Sequence, residues 1–190
     1  FEDGFHGDTF GAMSASGLSS YNGPFEDFLL KVVRIPTPQV DNIGEVKKMM
    51  AQILKENSCA AFVFEPLVQG AAGMKFHSAT GLDELIGLCR ENKVLCIADE
   101  IMTGFGKTGK DFASDNLVNK PDEVHKGFFH AHTFSAHPIG CVAAIAGIEL
   151  LNSPDVLKRR TYIEKAHTAF ASKIESHIKV EQVRVMGIIL

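Results

Sequence analysis

The stretch Val94–Gly109, VLCIADEIMTGFGKTG, decides how this chain is read. Apolar residues from Val94 to Ala98 run straight into two carboxylates, Asp99 and Glu100, and then into a loop studded with Gly104, Gly106 and Gly109. A short apolar run bounded by glycine reads as a buried strand of a parallel sheet. In open α/β sheets, ligands lie beyond the carboxyl ends of the strands. Acids placed there need a partner, because a lone buried charge is costly.

Outward from that strand, the neighbouring segments alternate in type. Residues 78–92 carry Leu82, Leu85, Ile86 and Cys89 on one helical face, and residues 59–64 form a short apolar run ending at Glu65-Pro66. A strand, a helix and a strand in this order predict a βαβ unit with a parallel sheet and a right-handed crossover. Residues 41–57 place Ile43, Val46, Met49 or Met50, and Ile53 at helical spacing, with Asp41 or Asn42 as the expected cap. Pro138 to Leu151 predicts a helix rich in small residues, suited to close packing. Pro154 to Ile178 predicts a longer, more polar one. Segment 110–129 reads as neither strand nor helix, which argues against continuity of the sequence there.

Composition narrows the classes of function. With 190 residues, 45% hydrophobic and 22% charged, the chain has the balance of a globular protein. A net charge of −4 and no Lys/Arg stripe leave no footprint for nucleic acid. No apolar run reaches the length of a membrane span and no signal peptide opens the chain. Cys59, Cys89, Cys96 and Cys141 form no CxxC pair and read as reduced thiols of a cytoplasmic protein. Phe1 stands where a methionine would start a complete chain, and the strand-like run Val183–Leu190 breaks off at its end. Both ends are those expected of a piece of a longer protein.

Several motifs compete for the site. Gly104-x-Gly106-x-x-Gly109 formally matches a dinucleotide fingerprint, but carboxylates intervene after the strand and KDFASDN supplies no apolar helix stripe. Gly106-Lys107-Thr108 mimics the end of a P-loop, yet Ile101 stands where its first glycine belongs. His130, His132 and His137 have residue types that zinc accepts, but no second cluster supports them, and no metal is expected. The segment Phe5-His6-Gly7-Asp8-Thr9 reads as a helix start capped by Asp8 or Thr9. It also reads as an aromatic face offered to a flat ligand, with Gly7 letting the backbone come close. Parallel strands ending in Glu65 and in Asp99-Glu100 would bring their acids to one crevice, which favours a ligand with a cationic nitrogen.

These blocks together resemble the class III, fold-type I aminotransferases that depend on pyridoxal 5'-phosphate. The resemblance is carried by FHGDTFGAMS (5–14), FEPLVQGAAGM (64–74), ADEIMTGFGKTG (98–109) and FFHAHTFSAHPIGCVAA (128–144), which span nearly the whole chain in the family's order. Within the family, HGDTFGAMS and Met102-Thr103 are most similar to the diaminopelargonate aminotransferases of biotin synthesis. The resemblance implies an α/β three-layer large domain, a mostly parallel sheet between helices, over residues 1–180 and incomplete. Residues 181–190 would begin a C-terminal small domain.

The same resemblance implies the roles of the site residues. Asp99 would pair with the pyridine nitrogen and keep it protonated. Ile101 would pack on one face of the ring and Phe5 on the other, where the family usually has tyrosine. His6 and Gly7 would complete that wall. Thr133 and the backbone around His132 would reach the cofactor phosphate of the other subunit, which implies a homodimer with shared active sites. Ala131 and Glu65, with Phe5, would line the substrate pocket, and Glu100 would be structural. The implied reaction transfers an amino group from S-adenosylmethionine, or lysine, to 8-amino-7-oxononanoate to give 7,8-diaminononanoate. Another class III aminotransferase acting on an ω-amino acid is the alternative.

Two departures from the family pattern stand out. The family's Schiff-base lysine lies in a Ser-Lys-Gly/Ala context between the acid pair and the phosphate threonine, and none exists here. No catalytic residue is therefore assigned, and an inactive fragment is a further reading, since the amine nucleophile is missing. Lys120 precedes Pro121-Asp122, which resembles the entry to the missing strand, while Lys126 sits in the loop just before the phosphate block. A junction near residues 122–123 is expected. The family's upstream glycine-serine phosphate cup and its C-terminal domain are also absent.

Overall fold

The computed structural model describes residues 1–56, 58–118 and 137–190. It divides into two compact units: Phe1–Gly104 with Lys110–Asp122, and Phe105–Gly109 with Glu123–Leu190.

In the first unit, α1 (Phe10–Ala15) starts at Thr9, whose hydroxyl accepts the Ala12 N–H at 3.4 Å. Helix α2 (Ile43–Glu56) buries Val46 and Met50. Asn42 precedes it, but its side chain turns back, accepting from Gln39 N at 2.7 Å and donating to the Thr37 carbonyl at 3.1 Å. Strand β1 (Ala61–Phe64) is followed by an antiparallel hairpin of β2 (Val68–Gln69) and β3 (Lys75–Phe76), and then by α3 (Ala79–Glu91). Ser78 caps α3 by accepting from Gly81 N at 3.0 Å, and Leu82, Leu85, Ile86 and Cys89 are buried as their spacing predicts. Strand β4 (Leu95–Ala98) pairs parallel with β1, Ala61 opposite Leu95 and Phe64 opposite Ala98. Rings of Phe1, Phe62 and Phe64 meet in the core, Phe1 edge-on to Phe62 at a centroid distance of 5.2 Å and Phe62 tilted against Phe64 at 5.0 Å.

Two expectations change here. The βαβ unit contains a hairpin between β1 and α3, whose two-residue strands carry no readable period. Strand β4 is not buried on both faces: Leu95 is 66% and Ile97 48% exposed, because no described element of this unit covers that side.

The second unit contains α4 (Pro138–Leu151) and α5 (Pro154–Ile174), with the loop Phe105–Gly109. Helix α4 is apolar around its circumference yet has no buried residue, so the close packing expected of its small residues is not formed among the described residues. At 14 residues it is also shorter than a membrane span, and no single described helix is long and apolar enough to cross one. The strand expected over Val183–Leu190 is instead a reversal. Gly187 has φ +58°, and Met186 and Ile189 exchange backbone hydrogen bonds of 3.0 Å across it. The loop is held from two sides, by Arg160 Nη2 donating to Gly106 O at 3.1 Å and by Ile188 N donating to Lys107 O at 3.0 Å.

Candidate active site

The parallel register sets Glu65 and Asp99 side by side at the carboxyl ends of β1 and β4, with Asp99 N donating to Phe64 O at 2.8 Å. The N-terminal loop crosses both strand ends. Phe5 N donates to Glu65 Oε1 at 3.1 Å, and the next residue, His6, meets Asp99 through Nδ1 and Oδ2 at 2.8 Å. A carboxylate only accepts, so the hydrogen of this contact belongs to Nδ1. His6 is itself anchored, its N–H donating to Ser16 Oγ at 2.9 Å at the end of α1. Gly7, at φ +111°, turns the chain from this contact toward the Thr9 cap, a conformation that suits glycine.

The three acids have different roles. Asp99 keeps Oδ1 for the Ile101 N–H at 3.2 Å and Oδ2 for His6. Glu65 is buried, its two oxygens accepting the backbone N–H groups of Phe5 and, at 2.8 Å, Gly70. Glu100 points elsewhere and accepts from Thr103 Oγ1 at 3.0 Å and from Ala113 N and Ser114 N at 2.8 Å each. It clasps the short 3₁₀ turn Ala113–Asn116 to the strand end. Beneath Glu65, the ring of His77 donates through Nε2 to the Glu65 carbonyl at 2.9 Å. Burial pushes His77 down to about 4, against the opposing pull of that hydrogen bond.

Of the residues singled out from sequence, Phe5, His6, Gly7, Glu65, Asp99 and Ile101 come together at these strand ends. Ala131, His132 and Thr133 lie outside the described residues. Ile101 is 89% exposed and Phe5 half exposed, so apolar surface flanks a carboxylate that is itself mostly covered. Beside Phe5 and Gly7 opens a groove of about 630 Å³, lined also by Met13, Leu18 and Ala71. Ser16, Gln69 and His77 belong to the site's support and were not read from sequence. Their only signal was position inside the matching blocks or next to them. Among the described residues, no group of three or more His, Cys, Asp or Glu could hold a metal ion.

The family model for class-III aminotransferases matches residues 1–127. This chain belongs to that family. The adenosylmethionine-8-amino-7-oxononanoate aminotransferase of Synechococcus elongatus is 34% identical, over 98% of this chain and 53% of its own length. The ornithine aminotransferase of Bacillus cereus is 30% identical, over 100% of this chain and 52% of its own. Among solved structures, the adenosylmethionine-8-amino-7-oxononanoate aminotransferase of Methanocaldococcus jannaschii superposes with a TM-score of 0.80 at 26% identity, covering 98% of this chain and 50% of that one. The fold is thus the α/β fold-type I of class III aminotransferases, and the chain spans about half the length of the relatives it matches.

Proposed function

We propose that the full-length protein is an aminotransferase dependent on pyridoxal 5'-phosphate, passing an amino group from S-adenosylmethionine, or lysine, to 8-amino-7-oxononanoate in biotin synthesis. The observation that carries this reading is the His6–Asp99 contact at the end of β4, in a chain whose relatives include enzymes named for that substrate. A partly covered carboxylate at a strand end, flanked by an aromatic ring and an exposed isoleucine, fits a flat cationic heterocycle. Bound there, pyridoxal phosphate supplies an electron sink for charge developing on the amino-bearing carbon.

The chain's own residues would prepare that site. Asp99 would accept the hydrogen of the ring nitrogen, and His6 Nδ1–H would hold the carboxylate in line. Phe5 and Ile101 would cover the two faces of the ring and keep water off it, while Gly7 lets the chain approach. Glu65, already fixed by two backbone N–H groups, would present its remaining lone pairs toward the substrate along with Ala131. His132 and Thr133 would serve the phosphate held by a second subunit, which makes the assembly a homodimer. Residues 1–180 would belong to the large domain and 181–190 to the start of the small one, in a cytoplasmic enzyme.

We place the family's lysine in residues that relatives carry and this chain lacks, at a junction near positions 122–123. The alignment with the Synechococcus relative runs over 226 positions although this chain has 190 residues. Because 98% of the chain lies inside that alignment, the surplus falls within it rather than at its ends. The test is to titrate the full-length protein with pyridoxal phosphate and follow visible absorption. A band that bleaches with S-adenosylmethionine or lysine, and returns with 8-amino-7-oxononanoate, is the expected result. No band, or one indifferent to both donors, overturns the reading. The ornithine aminotransferase relative supports a second reading, an ω-amino-acid substrate. That reading gains if ornithine alone bleaches the band.

A further inference from the structure

Two residues at the end of α1 grip the loop that carries His6. Ser16 Oγ accepts the His6 N–H at 2.9 Å, and Gly17 N donates to the Gly4 carbonyl at 2.7 Å. The two backbones meet with no room for a side chain, since a Cβ on Gly17 would stand 2.7 Å from Asp3 N. The loop is also tied at Glu2, whose carbonyl accepts from Gln69 Nε2 at 2.9 Å, and at Phe5, whose N–H donates to Glu65. Ser16 is what fastens the backbone of His6 itself.

The Ser16 side chain is suited to that task. The residue is 2% exposed, and the single hydrogen of its hydroxyl goes to the Ala12 carbonyl at 2.9 Å. The oxygen is then left as the acceptor for His6. A side chain occupies few rotamers, so fixing the His6 N–H limits where Nδ1 can stand relative to Asp99. Arg34 anchors Ser16 in turn. Its Nε donates to the Ser16 carbonyl at 2.7 Å and its Nη2 to the Ser14 carbonyl at 2.9 Å. Carbonyls at a helix end lack partners within the helix, and a forked guanidinium satisfies two of them at once. From Arg34 to Asp99 the path thus runs through contacts of 2.7, 2.9 and 2.8 Å, by way of Ser16 and His6.

We propose that Ser16 is a positioning residue for the His6–Asp99 pair, and that Arg34 keeps Ser16 in place for that task. Neither residue is among those assigned to cofactor or substrate; both act through His6. The consequence for cofactor binding rests on the reading of Asp99 as the cofactor's anchor, whereas the placing of the His6 ring does not.

The experiment uses the full-length protein as wild type, Ser16→Ala, Ser16→Thr, Arg34→Lys and His6→Ala, with Ser16→Ala and Arg34→Lys each also combined with His6→Ala. NMR without cofactor follows the His6 Nδ1 hydrogen, and visible absorption measures the affinity for added pyridoxal phosphate. Ser16→Ala should lose the Nδ1–H signal and bind pyridoxal phosphate on the order of tenfold more weakly. Ser16→Thr, which keeps the hydroxyl, should restore both. Arg34→Lys keeps the charge without the fork and should weaken binding roughly threefold. Each combined variant should bind no more weakly than His6→Ala alone, because the lost contact acts through a ring already removed. An unchanged Nδ1–H signal in Ser16→Ala overturns the proposal, and so does a combined variant that adds its full loss to that of His6→Ala. Should Ser16→Ala fail to fold, Arg34→Lys and its combination with His6→Ala decide by the same criteria. Wild-type protein that binds no pyridoxal phosphate overturns the functional reading instead, and the Nδ1–H signal still decides whether Ser16 places the ring.

Discussion

His6 Nδ1 and Asp99 Oδ2 lie 2.8 Å apart, although 93 positions separate the two residues in the chain. The contact ties the N-terminal loop to the strand end that the proposed cofactor would use. Asp99→Asn keeps the shape and removes the charge. In full-length protein it is expected to lower transamination by on the order of 10² to 10³. His6→Ala keeps the charge and removes its support, with a milder loss of roughly tenfold to a hundredfold. Steady-state rates with pyridoxal phosphate check both, and an Asp99→Asn variant of near wild-type rate would sink the assignment.

Glu100 belongs to stability rather than chemistry. Its carboxylate accepts three hydrogen bonds, two from backbone N–H groups at Ala113 and Ser114. Glu100→Ala leaves those donors without a protein partner and is expected to cost about 2–4 kcal/mol in urea unfolding. Glu100→Gln should recover part of that, since one of its two ends still accepts. Equal losses for the two variants would count against the clasp.

His77 gives the fold a pH signature. Its pKa falls from 6.5 to about 4 on burial, so the folded protein holds fewer protons than the unfolded chain between those values. Unfolding then takes up a proton. The contribution is complete above about pH 6.5, declines as pH falls, and levels off below about 4. The slope in that window is up to about 1.4 kcal/mol per pH unit. Urea midpoints from pH 4 to 7 measure it, and His77→Gln should flatten the curve. The same slope in that variant would assign the effect to another group.

Gly106 and Arg160 form the other testable pair. Gly106 sits at φ +84°, and an added Cβ would collide with the Arg160 guanidinium that holds its carbonyl. Gly106→Ala is expected to destabilise by about 2–4 kcal/mol, from backbone strain and overlap together. Arg160→Ala removes the overlap but not the strain. The double variant should therefore lose less than the sum of the singles, and strict additivity in a double-mutant cycle would refute the contact.

Much of this architecture was legible where a period exists. Helices α2 and α3 lie where apolar spacing placed them, strands β1 and β4 where short apolar runs did, and α4 and α5 where composition after a proline did. The β2–β3 hairpin escaped because Val68–Gln69 and Lys75–Phe76 are too short to show alternation. Val183–Leu190 misled because composition carries no sign of φ, and Gly187 reverses a run that reads as extended. At the site, residue types named Asp99 and Phe5, and the family resemblance gave them roles. What spacing could not convey was who meets whom: that His6 faces Asp99, that Glu65 is occupied by Phe5 and Gly70, and that Gln69 closes the loop from behind.

Phe5 and His6 are consecutive, yet one is fastened by its backbone to Glu65 and the other by its ring to Asp99. The dipeptide is a crossbar between two strand tips, and it yokes them. Neither acid can shift without pulling the same short length of chain, so the tips adjust in concert. Side-chain changes at Phe5 leave both fastenings in place, whereas removing the Phe5 N–H or the His6 ring would unsettle the posture of both acids together.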